Sequence, residues 1–187
     1  MNNGATNTLK AIQGLLGVTQ DGIFGPKSRA ALESLITESQ KPEPSVYSKT
    51  FTDFMPWIFD WEGRDYENDP DDPGGETKFG IDKRSHPNVD IRTLTESEAV
   101  AIYWNEWIED GCLAFESPYA EVYFNCAVNM GLSRAKEFNT DAKGDSNKFL
   151  IAQENKYRSI ARNNPKMGKY LQGWLNRTNS LRQRFSV

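Results

Sequence analysis

The chain has 187 residues, 37% of them hydrophobic and 12% aromatic, enough for one domain of ordinary size with a core and a small appendage. Net charge is only −4. No run reaches the roughly 20 apolar residues of a membrane span, and no charged-then-apolar stretch opens the chain like a secretory signal, so the expectation is a monomer made in the cytoplasm, without membrane insertion.

From the N-terminus, Leu9, Ile12, Leu15 and Leu16 are spaced as a short amphipathic helix over residues 9–16. Asp21-Gly22 predicts a turn, and Pro26 opens a second helix through Ala30, Leu32 and Leu35. The run from Ile12-Gln13 through Asp21-Gly22-Ile23-Phe24-Gly25-Pro26-Lys27-Ser28-Arg29-Ala30-Ala31-Leu32 is similar to the peptidoglycan-binding type 1 module. That resemblance implies a wall-binding unit over residues 1–36, with Asp21, Phe24 and Arg29 as candidate contacts. The module has three helices and usually more residues, so this copy is short, and a plain helical hairpin that packs on the rest of the chain is the alternative. Residues 37–49, with Lys41-Pro42-Glu43-Pro44-Ser45 inside, read as an extended linker.

Next, Phe51, Phe54, Ile58 and Trp61 recur at three- to four-residue spacing and place Glu62 at the C-terminal end of an amphipathic helix. Trp57, Phe59 and Trp61 add an aromatic wall. Burial against such a wall and the negative end of the helix dipole both disfavour the ionised carboxyl and predict a raised pKa, as a general acid requires. Asp71 follows nine residues on and Thr77 six beyond that, in a polar loop rich in glycine and proline. A carboxylic acid, a second carboxylate and a hydroxyl that holds water are what cleavage of a glycosidic bond needs. Asp69 and Asp72 compete with Asp71 for the second role.

Trp61-Glu62-Gly63-Arg64-Asp65-Tyr66 and then Asn68-Asp69-Pro70-Asp71-Asp72-Pro73-Gly74-Gly75-Glu76-Thr77-Lys78-Phe79-Gly80-Ile81 closely resemble the glycoside hydrolase 108 family, N-acetylmuramidases that cut peptidoglycan. The family signature is Glu-Gly-Gly-Tyr, and Arg64 here replaces its second glycine. The spacing of Glu62, Asp71 and Thr77 is also similar to that of phage lysozymes of the T4 type, which implies acid, water-positioning carboxylate and water partner in that order. Tyr123 to Gly131 and Gly173-Trp174-Leu175-Asn176-Arg177 resemble two further blocks of the family, so the likeness runs over about residues 50 to 185.

Thr95 to Glu98 reads as a capping box for a helix carrying Val100, Tyr103, Trp104, Trp107 and Ile108 before Gly111. Ser117-Pro118 opens and Gly131 stops a helix apolar at nearly every position, hence buried. Asn125 and Asn129 lie one turn apart on it and either satisfy the core or face a wet cleft; the cleft is favoured, since a sugar site uses planar polar groups beside aromatic ones. Tyr66, Asn125 and Asn129 are therefore the candidate sugar contacts. A helix from about Ser146 to Asn163 stops before Pro165, and a last one carries Leu171, Trp174, Thr178, Leu181 and Phe185 on one stripe. A small hairpin between Asp71 and Ile81 is the only β structure expected. The fold class is thus mainly α with one β-hairpin over residues 50–187, and the resemblance implies that it is lysozyme-like.

Cys112 and Cys126, in apolar helical contexts, read as reduced core thiols. His86 is the sole histidine, so zinc ligation and Ser/His or Cys/His catalysis lack partners, and Pro70 or Pro73 falls at a key position in either EF-hand register of the acidic loop. No metal or cofactor is expected. Residues 53–76 carry nine acids against Arg64, and residues 142–187 ten bases against Asp145 and Glu154. The basic half reads as a solvated face, with an anionic wall polymer or membrane surface as the alternative; without a recognition motif, nucleic acid is not expected. The resemblance implies bacterial peptidoglycan as the partner and a phage-type endolysin as the role. A lytic transglycosylase and a non-catalytic wall-binding protein on the same fold are the alternatives.

Overall fold

Two units divide the chain, residues 1–46 and 47–187. The computed structural model describes residues 3–39, 47–68 and 75–187. In the first unit α1 spans Asn3–Leu15 and α2 spans Pro26–Ser39. Helix α1 begins well before the predicted start, and α2 continues to Ser39, into the stretch read as linker; residues 40–46 of that stretch lie outside the described residues.

The connection between α1 and α2 is organised by one buried amide. Gln13 Nε2 donates to Asp21 Oδ1 at 2.7 Å, to the Ile23 carbonyl at 3.0 Å and to Ser28 Oγ at 3.1 Å, while Gln13 Oε1 accepts from the Gly22 N–H at 2.8 Å. The hydrogen bond from Gln13, followed by that from the Ile23 N–H, holds the Asp21 carboxyl below the usual carboxylate range. Leu15, Ile23 and Leu35 are exposed.

The second unit begins with α3, Lys49–Glu62, capped by Ser48, whose hydroxyl accepts from the Phe51 N–H at 3.2 Å. Phe51, Phe54 and Ile58 are fully buried, as their spacing predicts. Helix α4, Glu96–Glu109, starts at the predicted capping box: Thr95 and Glu98 satisfy each other's backbone. Helix α5, Tyr119–Met130, is the central element, with every residue from Tyr119 to Cys126 buried, and it packs on α3, on α6 (Leu132–Ala142) and on α7 (Ser146–Asn163). A 3-10 stretch, Pro165–Tyr170, leads into α8, Leu171–Phe185. Phe51, Trp104, Trp107 and Phe124 interlock edge to face with ring centroids 5.0–6.4 Å apart, joining α3, α4 and α5 in one core. Both cysteines are free and buried there, and burial pushes the Cys126 thiol up to about 12.

Two elements differ from the sequence expectation. Helix α6 is additional: its short apolar set, Ala135, Phe138 and Ala142, is the part that is buried. The β structure is a three-stranded antiparallel sheet in the order β1 (Glu67–Asn68), β2 (Glu76–Lys78), β3 (Ile81–Asp82), where a single hairpin is expected. Strand β1 consists of two exposed polar residues without hydrophobic alternation, which is why no pattern announces it. Its register pairs Glu67 with Thr77, and across β2 and β3 Thr77 pairs with Asp82.

Candidate active site

Glu62 is the last residue of α3, and its side chain is 20% exposed. Gly63 follows at φ 86°, its N–H closing the helix on the Phe59 carbonyl, so the backbone turns away immediately after the glutamate. The group nearest the carboxylate is a cation from the other end of the unit: Arg177 Nη1 of α8 lies 2.6 Å from Glu62 Oε1. Arg177 is itself buried, its Nε donating to Asn125 Oδ1 at 2.7 Å and its guanidinium lying 5.6 Å from the Trp57 ring and 6.0 Å from that of Trp61. The aromatic wall thus faces a guanidinium as well as Glu62. The approach at Oε1 has the distance of an ion pair without the direction of a hydrogen bond, and Glu62 Oε1, Arg177 Nη2 and Asn125 Nδ2 are all buried without a hydrogen-bond partner. Buried polar atoms without hydrogen bonds are costly for stability alone, and their clustering at Glu62 marks this as the candidate site.

Helix α8 reaches α3 through local contacts that fix the pair. Trp57 Nε1 donates to Ser180 Oγ at 3.0 Å, and Arg184 donates to the Asp53 carbonyl at 2.8 Å. Arg177 is the residue that the sequence reading misses. The signal was present: it falls between Trp174 and Leu181 on the apolar stripe, where a charge has no structural reason to be.

The sheet presses on Glu62 from another side. Between β2 and β3 both turn residues, Phe79 and Gly80, have positive φ (55° and 79°), the geometry of a tight two-residue hairpin. Phenylalanine is strained there, and burial of its ring together with the Tyr103 hydroxyl, which donates to its carbonyl at 2.9 Å, secures the turn. A Cβ on Gly80 would lie 2.7 Å from Glu62 Cβ and 2.6 Å from the Tyr103 hydroxyl oxygen, so only glycine lets the turn sit against the acid. Burial, and secondarily the negative charge of Glu62, raise the Tyr103 phenol.

Thr77 lies on β2, three residues before Gly80, and its hydroxyl donates to the Gly75 carbonyl at 3.4 Å. Asp71, with its rivals Asp69 and Asp72, lies outside the described residues. Tyr66 is tied into the sheet: its hydroxyl donates to Glu76 Oε1 at 2.7 Å and its ring lies 5.4 Å under the Arg92 guanidinium. Arg64 clamps the end of α3 to the start of α4 through Glu96 at 2.8 Å and Asp60 at 3.3 Å, so the arginine where the signature has glycine acts as a brace.

The two asparagines of α5 part company. Asn125 is fully buried and serves as the acceptor that orients Arg177, correcting its assignment to a sugar-facing cleft; the requirement for a partner inside the core won. Asn129 is half-buried and accepts from the Tyr157 hydroxyl at 2.5 Å, which in turn accepts from Gln153 at 2.8 Å. In the first unit Asp21 belongs to the Gln13 network, while Phe24 and Arg29 are exposed.

Behind Gly80 and Tyr103 a polar cavity of about 250 Å³ is lined by Asp82, His86, Glu106 and Asp110. His86 Nε2 stands 3.4 Å from Glu106 Oε1, a partner the sequence did not reveal. Burial, then the charges of Asp110 and Glu109, push the Glu106 carboxyl up to about 7.

Residues 55–131, which contain Glu62, the sheet and α4 to α5, match the family Glycosyl hydrolase 108. A search of curated proteins gave no match. Among solved structures the chain is similar to SagA of Brucella abortus, with a TM-score of 0.58 and 20% identity over 72% of this chain and 92% of that one. That likeness is one of fold: mainly helical with a small antiparallel sheet, as expected for a lysozyme-like domain. The family match falls on the segment that holds Glu62, and the chain is a glycoside hydrolase.

Proposed function

We propose that the enzyme is an N-acetylmuramidase that hydrolyses the β-1,4 bond between N-acetylmuramic acid and N-acetylglucosamine, with Glu62 as general acid. The observation that carries this reading is the placement of Glu62. It is one carboxylate at a helix end, partly exposed, pressed by Gly80 and met by a buried guanidinium at 2.6 Å. Glu62 protonates the leaving oxygen, with Oε2 carrying the proton, since Oε1 is turned to Arg177. The carboxylate that remains is neutralised by a cation already in position, which lowers the barrier without reorganisation. Asn125 and the two tryptophans hold that cation in place.

Asp71 and Thr77 orient the attacking water on the opposite face of the sugar, as in an inverting glycosidase, whose carboxyl groups stand about 6.5–9.5 Å apart. The first unit holds the enzyme on the wall, and the biological role is that of a phage-type endolysin, made in the cytoplasm and acting on the wall after release.

The test is Glu62→Gln on purified peptidoglycan. A folded variant should lose lysis by about 100- to 10,000-fold, as removal of a general acid does. Digests by the unaltered enzyme should yield muropeptides with reducible muramic acid ends. Activity within a few-fold of wild type in the variant would remove Glu62 from the mechanism, and non-reducible anhydro ends would replace hydrolysis with transglycosylation and remove the water-holding role of Asp71 and Thr77.

A further inference from the structure

Next to the catalytic centre, Asn129 opens onto a recess of about 230 Å³ whose other lining includes Met130, Arg134, Lys156, Tyr157 and Trp174. One wall is aromatic and preset. Tyr157 stacks on Trp174 with ring centroids 5.2 Å apart and planes 23° apart, and Tyr170, itself 47% exposed, continues the stack at 6.0 Å. The Tyr157 hydroxyl is held by both Asn129 and Gln153, so the ring cannot swing away. The other wall is cationic: Arg134 is paired only with Glu137 of its own helix, and Lys156 has no acidic partner among the described residues. The recess lies near the acid: Trp174 is one turn from Arg177 on α8, and Asn129 is one turn from Asn125 on α5.

Flat rings beside the ammonium of Lys156 and the guanidinium of Arg134, which is paired only within its own helix, suit a ligand with apolar groups and a carboxylate, which a neutral glycan ring is not. We propose that this recess binds the acidic peptide carried by the muramic acid of the strand being cut, with Lys156 and Arg134 on its carboxylate and the edge of the Trp174 ring, together with Met130, against its side chains. The inference rests on the peptidoglycan reading above and gives that site a peptide subsite. Lys156 and Trp174 then set the preference for peptide-bearing over bare glycan.

Two measurements on the full chain test it. In the first, muramyl dipeptide, which has no bond to cleave, is titrated while the Trp174 indole N–H resonance is followed by NMR, assigned through Trp174→Phe. That resonance should shift, N-acetylmuramic acid should bind at least about 5-fold more weakly, and Lys156→Glu should weaken the dipeptide by about 5-fold, the order of one partly exposed charge pair. No shift at Trp174, or equal affinity for the two ligands, would overturn the proposal. In the second, kcat/KM is compared on sacculi and on glycan stripped of peptide by an amidase. Lys156→Glu should lower it on sacculi through KM and leave it unchanged on bare glycan; an equal loss on both would show a structural effect and overturn the subsite. If the unaltered enzyme cuts neither substrate, the muramidase reading fails, and the dipeptide titration alone then decides the recess.

Discussion

Replacing Arg177 by methionine keeps an unbranched side chain between Trp57 and Trp61 and removes only the charge and its donors. The arginine side chain is 5% exposed and that of Glu62 20% exposed, so the pair is buried on one side and partly hydrated on the other. Breaking a buried pair by deleting one partner costs about 3–5 kcal/mol, and the exposed fifth of Glu62 places this one at the lower end. Asn125 Oδ1 also loses its donor inside the core, adding about 1 kcal/mol. The expected loss is roughly 4 kcal/mol, a large share of the 5–15 kcal/mol that holds a domain together. Urea unfolding followed by circular dichroism measures it. In a double-mutant cycle with Glu62→Gln the two changes should fall short of additivity by about 1–3 kcal/mol, because they remove the same interaction. Lysis by Arg177→Met should fall by about 100-fold, as when one preorganised electrostatic partner is lost. Strict additivity with a loss below about 0.5 kcal/mol would refute the ion pair as the device that positions the acid.

Gly80→Ala forces a methyl into van der Waals overlap with Glu62 and Tyr103 at a φ of 79°, and should destabilise by about 2–4 kcal/mol; urea midpoints and lysis should fall together, and a fully active variant would mean that the turn does not bear on the acid. The raised Glu106 carboxyl makes the folded state hold a proton that the unfolded chain releases, so stability should decline as pH rises from about 4.5 to about 7. After allowance for the 36% exposure of its side chain the decline is on the order of 1 kcal/mol, and it should be absent in Glu106→Gln when unfolding is compared at pH 5 and pH 8. Gln13→Ala removes the amide that ties Gly22, Ile23 and Ser28 together and should cost the first unit about 2 kcal/mol, seen as faster hydrogen exchange at Gly22. Co-sedimentation with insoluble peptidoglycan should drop while cleavage of soluble muropeptides stays unchanged; unchanged sedimentation would deny that unit a targeting role.

What could be read from the sequence was local. The Thr95 capping box, the wholly apolar run of α5 and the stop before Pro165 each depend on neighbours within a turn or two, and the structure follows them. Helix α6 and strand β1 carry too few apolar residues to show a period. At the site, Glu62 was legible as a helix-end acid beside tryptophans, whereas its closest partner comes from α8 and no spacing rule connects the two. Asn125 was legible as a buried amide in need of a partner, but which partner depended on α8 docking. Gly80 shows the same limit: its place in the motif is visible, and the reason that no side chain fits there is a contact across the fold.

The pairing of Glu62 with Arg177 also sets an order of events during synthesis. Helix α3 leaves the ribosome long before α8, and the segment from Met55 to Gly131 that matches the family ends before α8 begins. Until Ser180 and Arg184 anchor the final helix on Trp57 and Asp53, the acid has no counter-charge and the Trp57–Trp61 face has no guanidinium over it. A nascent or C-terminally clipped chain therefore carries Glu62 and its neighbouring motif residues without the Arg177 contact, and on the proposed mechanism removal of the last helix should abolish activity while leaving that motif intact.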